Sequence, residues 1–251
     1  MILSLLQNEE VTAKIVKSIH GAIVNDILQD TRNAGLEKEH MNSHPSRVWD
    51  LINRNVSNAL SHSSDYITGF TNRGPWNFVV IFDKQSKTLI SLMREERFLE
   101  VKKDKSKRRH YIHLLAQAFN SDLEKQQLSL FEINDDNDFV NTSITKICND
   151  LLIQPEMVEH YVTVLFSGND GILKSIRCVA INSAFEICQS ESWNAYIPVE
   201  ESVIVDQIQP DAVLTEQQPI PLTLKSKAHN RKKQSPLNIE IKKDESGSIA
   251  N

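Results

Sequence analysis

An α+β fold is predicted by three features of the chain: amphipathic helical segments at its start, two pairs of strand-like runs each joined by turn residues, and a helix-rich interval between the pairs. With 251 residues, 40% of them apolar, the chain can bury a full core.

In the first segment Val11, Ile15, Ile19, Ile23 and Ile27 recur every four residues, with Val16, Val24 and Leu28 beside them, a broad apolar stripe on one helix. A charged interval, Leu36 to His40, separates it from a second helix. There Val48, Leu51, Ile52, Val56, Ala59 and Leu60 share a face after Pro45, and the two helices are expected to pack together. Gly74-Pro75 breaks the chain before Trp76 to Phe82, a β-branched and aromatic run that reads as a buried strand. Asp83 to Ser86 is a turn, and Thr88 to Met93 returns as the second strand of a hairpin. Arg94 to Arg109 is highly charged and predicted helical, and Tyr111, Leu114, Leu115, Ala118 and Phe119 follow at helical spacing. After a polar interval, 144–152 reads as a helix and Pro155 opens a short helical turn. Tyr161 to Phe166 and Ile172 to Ile181 form a second hairpin around Ser167 to Gly171. From about Gln207 prolines, glutamines and lysines dominate and aromatics vanish, the composition of a disordered tail.

The boundaries that follow are an N-terminal α+β domain over 1–124, a connector over 125–140, a second small α+β unit over 141–206 and a flexible basic tail over 207–251. A single mixed sheet spanning both halves is the alternative.

Composition excludes several functions. A net charge of −5 argues against a chain coated in basic residues for generic nucleic-acid binding, though local patches remain open. Cys148, Cys178 and Cys188 are too few and too scattered for a disulfide framework or a four-ligand zinc site, which suits a reducing, cytoplasmic setting. The apolar start, Met1 to Leu6, is too short for a signal peptide, and no stretch approaches the ~20 apolar residues of a membrane span. Phosphate loops, nucleophile elbows and metal-spaced histidines are absent from the sequence, so no cofactor and no metal is expected.

The most specific string is Gln127-Leu128-Ser129-Leu130-Phe131, just before the acidic stretch Asn134 to Asp138. QLSLF resembles the pentapeptide by which bacterial replication and repair proteins dock on the ring-shaped DNA sliding clamp. The resemblance implies a partner rather than a chemistry. Leu130 and Phe131 would anchor in an apolar groove, Leu128 would make a shallower contact, and Gln127 would hydrogen-bond at the rim. The competing account is that the apolar three pack on their own domain. The whole chain bears a faint resemblance to uncharacterised proteins of low-GC Gram-positive bacteria and their mobile elements, which implies no activity.

Four further patterns compete with it. Asp83 followed by Glu100-Val101-Lys102 has the spacing of restriction-type metal nucleases, in which two carboxylates hold Mg²⁺ and the lysine positions water. That chemistry needs E-x-K on a strand, whereas Arg94 to Lys107 is charged enough to be helical. Arg108 to His113 is the R-x-x-x-x-H of the HEPN ribonucleases, at a helix start. The stretch 144–161 has the apolar rhythm of a helix-turn-helix, as in an antitoxin or transcriptional regulator. It presents Glu156 and Glu159 where a reading helix presents cations and amides, so a structural helix pair is favoured. Lastly, Lys102, Lys103, Lys105, Lys107, Arg108 and Arg109 form a basic patch, echoed in the tail by Arg231, Lys232 and Lys233, suited to DNA phosphates. A solvated helix end is its plainer meaning.

The function expected from these residues is therefore a non-enzymatic adaptor or regulator that docks on the sliding clamp and contacts DNA. A nuclease is the enzymatic alternative.

Overall fold

The computed structural model describes residues 2–3, 8–35, 42–73, 76–104, 110–123, 137–169 and 171–199. They form an α+β protein whose six strands share one sheet, β1 Tyr66–Arg73, β2 Trp76–Asp83, β3 Thr88–Arg94, β4 His160–Asn169, β5 Ile172–Ile181 and β6 Ile187–Ser192, in that spatial order. Every neighbouring pair is antiparallel except β3 and β4, which run parallel with Thr88 opposite His160 and Arg94 opposite Phe166. Two antiparallel meanders thus meet along one parallel seam. The two halves do not form separate α+β units; of the two arrangements expected, the single mixed sheet is the one observed.

Helices cover both faces. On one side lie α1 Glu9–Gly21, α2 Ile27–Asn33 and α3 His44–Leu60; on the other lie α4 Glu95–Lys103, α5 Tyr111–Phe119 and α6 Asn137–Asp150. The strand side chains divide by parity, as a pleated sheet requires. Val79, Ile81, Ile90, Leu92, Val162 and Val164 face the first core, and Phe78, Val80, Phe82, Leu89, Tyr161 and Leu165 the second. Burial on both faces explains why the central strands read as unbroken apolar runs.

The first helical segment contains a π turn, Ala22–Asp26, between α1 and α2. Residues spaced strictly by four drift by about 40° per step around a 3.6-residue helix, and the wider π turn takes up that drift. Ile15, Ile19, Ile23 and Ile27 therefore stay buried together, while Leu28 is turned out to solvent. Asn8 caps α1 by accepting from the Val11 amide at 3.3 Å. The Asp30 carboxylate takes a bidentate contact from Arg47 at 2.9 and 2.6 Å, tying α2 to α3.

Two strands, β1 and β6, were not expected from the sequence. Both are edges of the sheet, and β1 lies against α6 closely enough that a Cβ at Gly69 would stand 2.9 Å from the Asp150 carbonyl oxygen. The helix-turn-helix reading is overturned. α6 ends at Asp150, Leu152 takes a left-handed conformation with φ of 58°, and a single 3₁₀ turn, Pro155–Met157, leads straight into β4. No second helix exists there to read a groove, nor to form the structural helix pair.

Burial also sets thiol chemistry. Desolvation pushes the Cys148 thiol up to about 11, with the Glu156 carboxylate adding to it, and raises that of Cys178 far above its ordinary range. Cys188 is exposed on β6. Ellman's reagent at about pH 8 should titrate one thiol in the native protein and all three cysteines after denaturation. Rapid labelling of all three under native conditions would contradict this packing.

Candidate nucleic-acid and docking surfaces

The feature of the fold with most chemical potential is a split between β2 and β3. Their ladder runs from Asp83↔Thr88 to Val80↔Ser91 and stops, although β2 begins at Trp76 and β3 continues to Arg94. Backbone groups freed in this way must find other partners. Asn53, buried on α3, supplies them: its Nδ2 donates to the Asn77 carbonyl at 3.1 Å and its Oδ1 accepts from the Val79 amide at 3.1 Å. One side-chain amide thus holds the sheet open at this end.

A cavity of about 140 Å³ occupies the opening. Its walls come from five elements: Trp49 of α3, Trp76 and Phe78 of β2, Leu92 and Met93 of β3, Arg97 of α4 and Tyr111 of α5. Phe78 and Tyr111 are stacked with centroids 4.3 Å apart and planes 24° off parallel, which fixes both rings. The Tyr111 hydroxyl donates to the Leu92 carbonyl at 3.4 Å. Trp76 remains 58% exposed. On the other side of the Phe78–Tyr111 pair a second cavity, about 110 Å³, is bounded by Asn72, Leu114, Phe139 and Lys146. There the Lys146 ammonium donates to Asn72 Oδ1 at 2.9 Å and to Asp150 Oδ2 at 3.1 Å.

The metal-nuclease candidates Asp83, Glu100 and Lys102 are not assembled. Asp83 is buried in the β2–β3 turn, where it accepts from the Gln85 amide at 2.9 Å and the Ser86 hydroxyl at 2.7 Å. This is a carboxylate closing its own turn. Glu100 lies on a helix, as its charged surroundings suggested, and pairs with Arg97 at 2.8 Å on the surface. Because α4 leaves the far end of β3 from the Asp83 turn, the Asp83, Glu100 and Lys102 geometry of a metal nuclease does not form. Among the described residues no group of three or more histidines, cysteines and carboxylates could hold a metal ion. His113 is half-buried on α5 and stacks on Phe185 at 5.5 Å; Arg108, its partner in the ribonuclease pattern, lies outside the described residues.

Of the basic patch, Lys102 and Lys103 are exposed in the last turn of α4, whereas Lys105, Lys107, Arg108 and Arg109 fall outside the described residues, as do Arg231, Lys232 and Lys233. Gln127, Leu128, Leu130 and Phe131 fall outside them too. The residues the sequence did not single out are those of the split. Trp76 beside Gly74-Pro75 marks an aromatic at a strand end, but Asn53 carries no local signal at all.

No described helix is long and apolar enough to cross a membrane. A family model described as a family of unknown function, DUF5986, matches residues 5–240. Neither the curated proteins nor the solved structures contain a match to the chain.

Proposed function

Because the chain belongs to DUF5986, a family of unknown function, we propose its role from its own residues: a non-enzymatic adaptor or regulator, of mobile-element origin, that docks on the bacterial DNA sliding clamp through Gln127 to Phe131 and contacts DNA through its basic segments, in the cytoplasm. The observation that carries this reading is the pentapeptide itself, in the chain between Leu123 and α6. Residues 124–126 and 132–136 flank it, enough chain for the peptide to lie extended over roughly 17 Å without drawing on either neighbouring helix. The basic run from Lys102 to Arg109 precedes it in the same β3-to-β4 crossover, so one connection bears both the clamp-facing and the phosphate-facing sequence.

The energetics suit a reversible contact. Burying Leu130 and Phe131 would each contribute roughly 1.5–3 kcal/mol, with a further share from Leu128, against about 2–5 kcal/mol for ordering the segment. Micromolar affinity corresponds to about −8 kcal/mol, so backbone and Gln127 hydrogen bonds would have to add to the apolar anchors. Occupying the groove would either recruit a second protein to the fork or exclude other clients.

The test is surface plasmon resonance of the full chain over immobilised bacterial clamp. The wild-type chain is expected to bind with micromolar affinity, and the Leu130→Ala, Phe131→Ala double variant to lose at least about 100-fold, from two anchors at about 1.4 kcal/mol per decade. Wild-type protein that shows no binding at tens of micromolar would sink the idea.

A further inference from the structure

The split between β2 and β3 has a chemistry that a clamp-docking peptide does not account for. Aromatic rings from three different elements line one small cavity, and Trp76 keeps 58% of its surface in water at its edge. Asn77 adds an amide there. Arg97 lines the same cavity and, among the described residues, pairs with Glu100, an exposed i,i+3 neighbour of the kind that yields readily to another anion. α4 then continues to the exposed Lys102 and Lys103, and the chain re-enters the described structure at His110 and Tyr111 after four more cations in sequence. Among the described cations, Arg97 thus stands in the cavity wall and Lys102 and Lys103 end the same helix.

Few ligands want that combination. An apolar peptide has no use for the cations, and a duplex keeps its bases stacked inside. A single strand offers free π faces and phosphates together, and aromatic platforms flanked by cations are how proteins hold one. The cavity, at about 140 Å³, is large enough for one base and too small for a stack of several. It is also built in advance: Asn53 satisfies the parted backbone, and the Phe78–Tyr111 stack holds its rings, so binding need not open the sheet.

We infer that this split binds single-stranded nucleic acid, seating one base against Trp76 and Tyr111 while Arg97, Lys102 and Lys103 meet the flanking phosphates. The inference rests on, and narrows, the nucleic-acid half of the function proposed above: the preferred partner is a strand, not a duplex.

Fluorescence anisotropy with labelled oligo-dT and oligo-U of about 20 nucleotides, and with a duplex of equal length, tests this on the full chain. The strands are expected to bind at least about tenfold tighter than the duplex, and the two strand arms report whether DNA or RNA is preferred. Trp76→Ala should weaken strand binding about tenfold, whereas Trp76→Phe should stay within about threefold of wild type, since a stacking face is kept. Arg97→Ala should lower the slope of log affinity against log salt by about 0.7. Equal affinity for strand and duplex, an unaffected Trp76→Ala variant, or no strand binding at about 50 mM salt would each overturn the inference. Because Trp76 is exposed, its truncation leaves the core intact, and Trp76→Phe guards against loss of fold. Trp76→Ala should leave clamp binding unchanged, and the Leu130, Phe131 variant should leave strand binding unchanged, so either reading can fail alone.

Discussion

Asn120→Asp is expected to destabilise this protein more than any surface substitution, and Asn120→Ala to follow it closely. Asn120 ends α5 and is wholly buried. The β4–β5 ladder begins at Thr163↔Val179, and two residues before it, where Tyr161 comes opposite Ile181, the Asn120 amide stands between the strands. Its Nδ2 donates to the Tyr161 carbonyl at 2.7 Å and the Ile181 carbonyl at 2.8 Å, and its Oδ1 accepts from the Tyr161 amide at 2.9 Å. Alanine would strand three buried backbone groups at about 1–3 kcal/mol each, so a loss of about 4 kcal/mol is expected. For a domain of this size that lowers the melting temperature by about 10 °C. Aspartate is worse at neutral pH, because a carboxylate oxygen would face two carbonyl oxygens with no donor between them. Protonation would return one donor, and burial favours that neutral form, so the variant's folded-state pKa lies above its unfolded value. Its deficit relative to wild type must then widen as pH rises above about 4 and narrow below it. Urea denaturation at about pH 4.5 and 7 measures both; an Asn120→Ala loss under about 1 kcal/mol would refute the wedge.

Phe98→Ala is expected to cost about 3–5 kcal/mol and to loosen α4 selectively. Only Phe98 and Val101 of this helix are buried, Phe98 completely, with its ring centroid 5.7 Å from that of Phe185. The other ties of α4 are polar and partly exposed: Glu95 pairs with Arg177, and Glu96 accepts from the Ser167 hydroxyl at 2.6 Å, which holds its carboxyl below the usual range. Pairs of that sort contribute about 0–1 kcal/mol, so the phenyl ring decides whether the helix stays. Arg177→Ala should accordingly cost under about 1 kcal/mol. Hydrogen exchange by mass spectrometry should show α4 losing protection in Phe98→Ala while α5 keeps its own; equal protection in both helices would mean that α4 is anchored elsewhere.

What the sequence made legible follows from what each residue does locally. β2 to β5 announce themselves because both faces are buried, and α1, α3 and α5 because their stripes recur at helical period. β1 and β6 stay hidden because edge strands borrow their order. Thr68, Thr71 and Asn72, like Gln189, Ser190 and Glu191, have no strand pattern of their own and are held by the ladders of β2 and β5. The helix-turn-helix reading failed for a related reason: Ile153 and Val158 continue the apolar rhythm of α6 but bury themselves from irregular backbone on either side of the 3₁₀ turn. The single sheet depends on the pairing of Thr88 to Arg94 with His160 to Phe166, partners too distant in sequence for a local pattern to reveal. The candidate cavity was least legible, since it exists only where Asn53, from a helix two elements away, replaces a rung of the ladder.

The parallel seam also imposes an order of assembly. Each meander is joined by short turns and can form from neighbouring residues alone, whereas β3 and β4 can pair only after residues 95–159 have been gathered into a loop. Closing a loop costs more entropy the longer it is, and contacts of high sequence separation come late and slowly. The seam between β3 and β4 is therefore expected to close after the two meanders have formed, and the stretch that must be gathered to close it is the same stretch that carries the basic run and the pentapeptide.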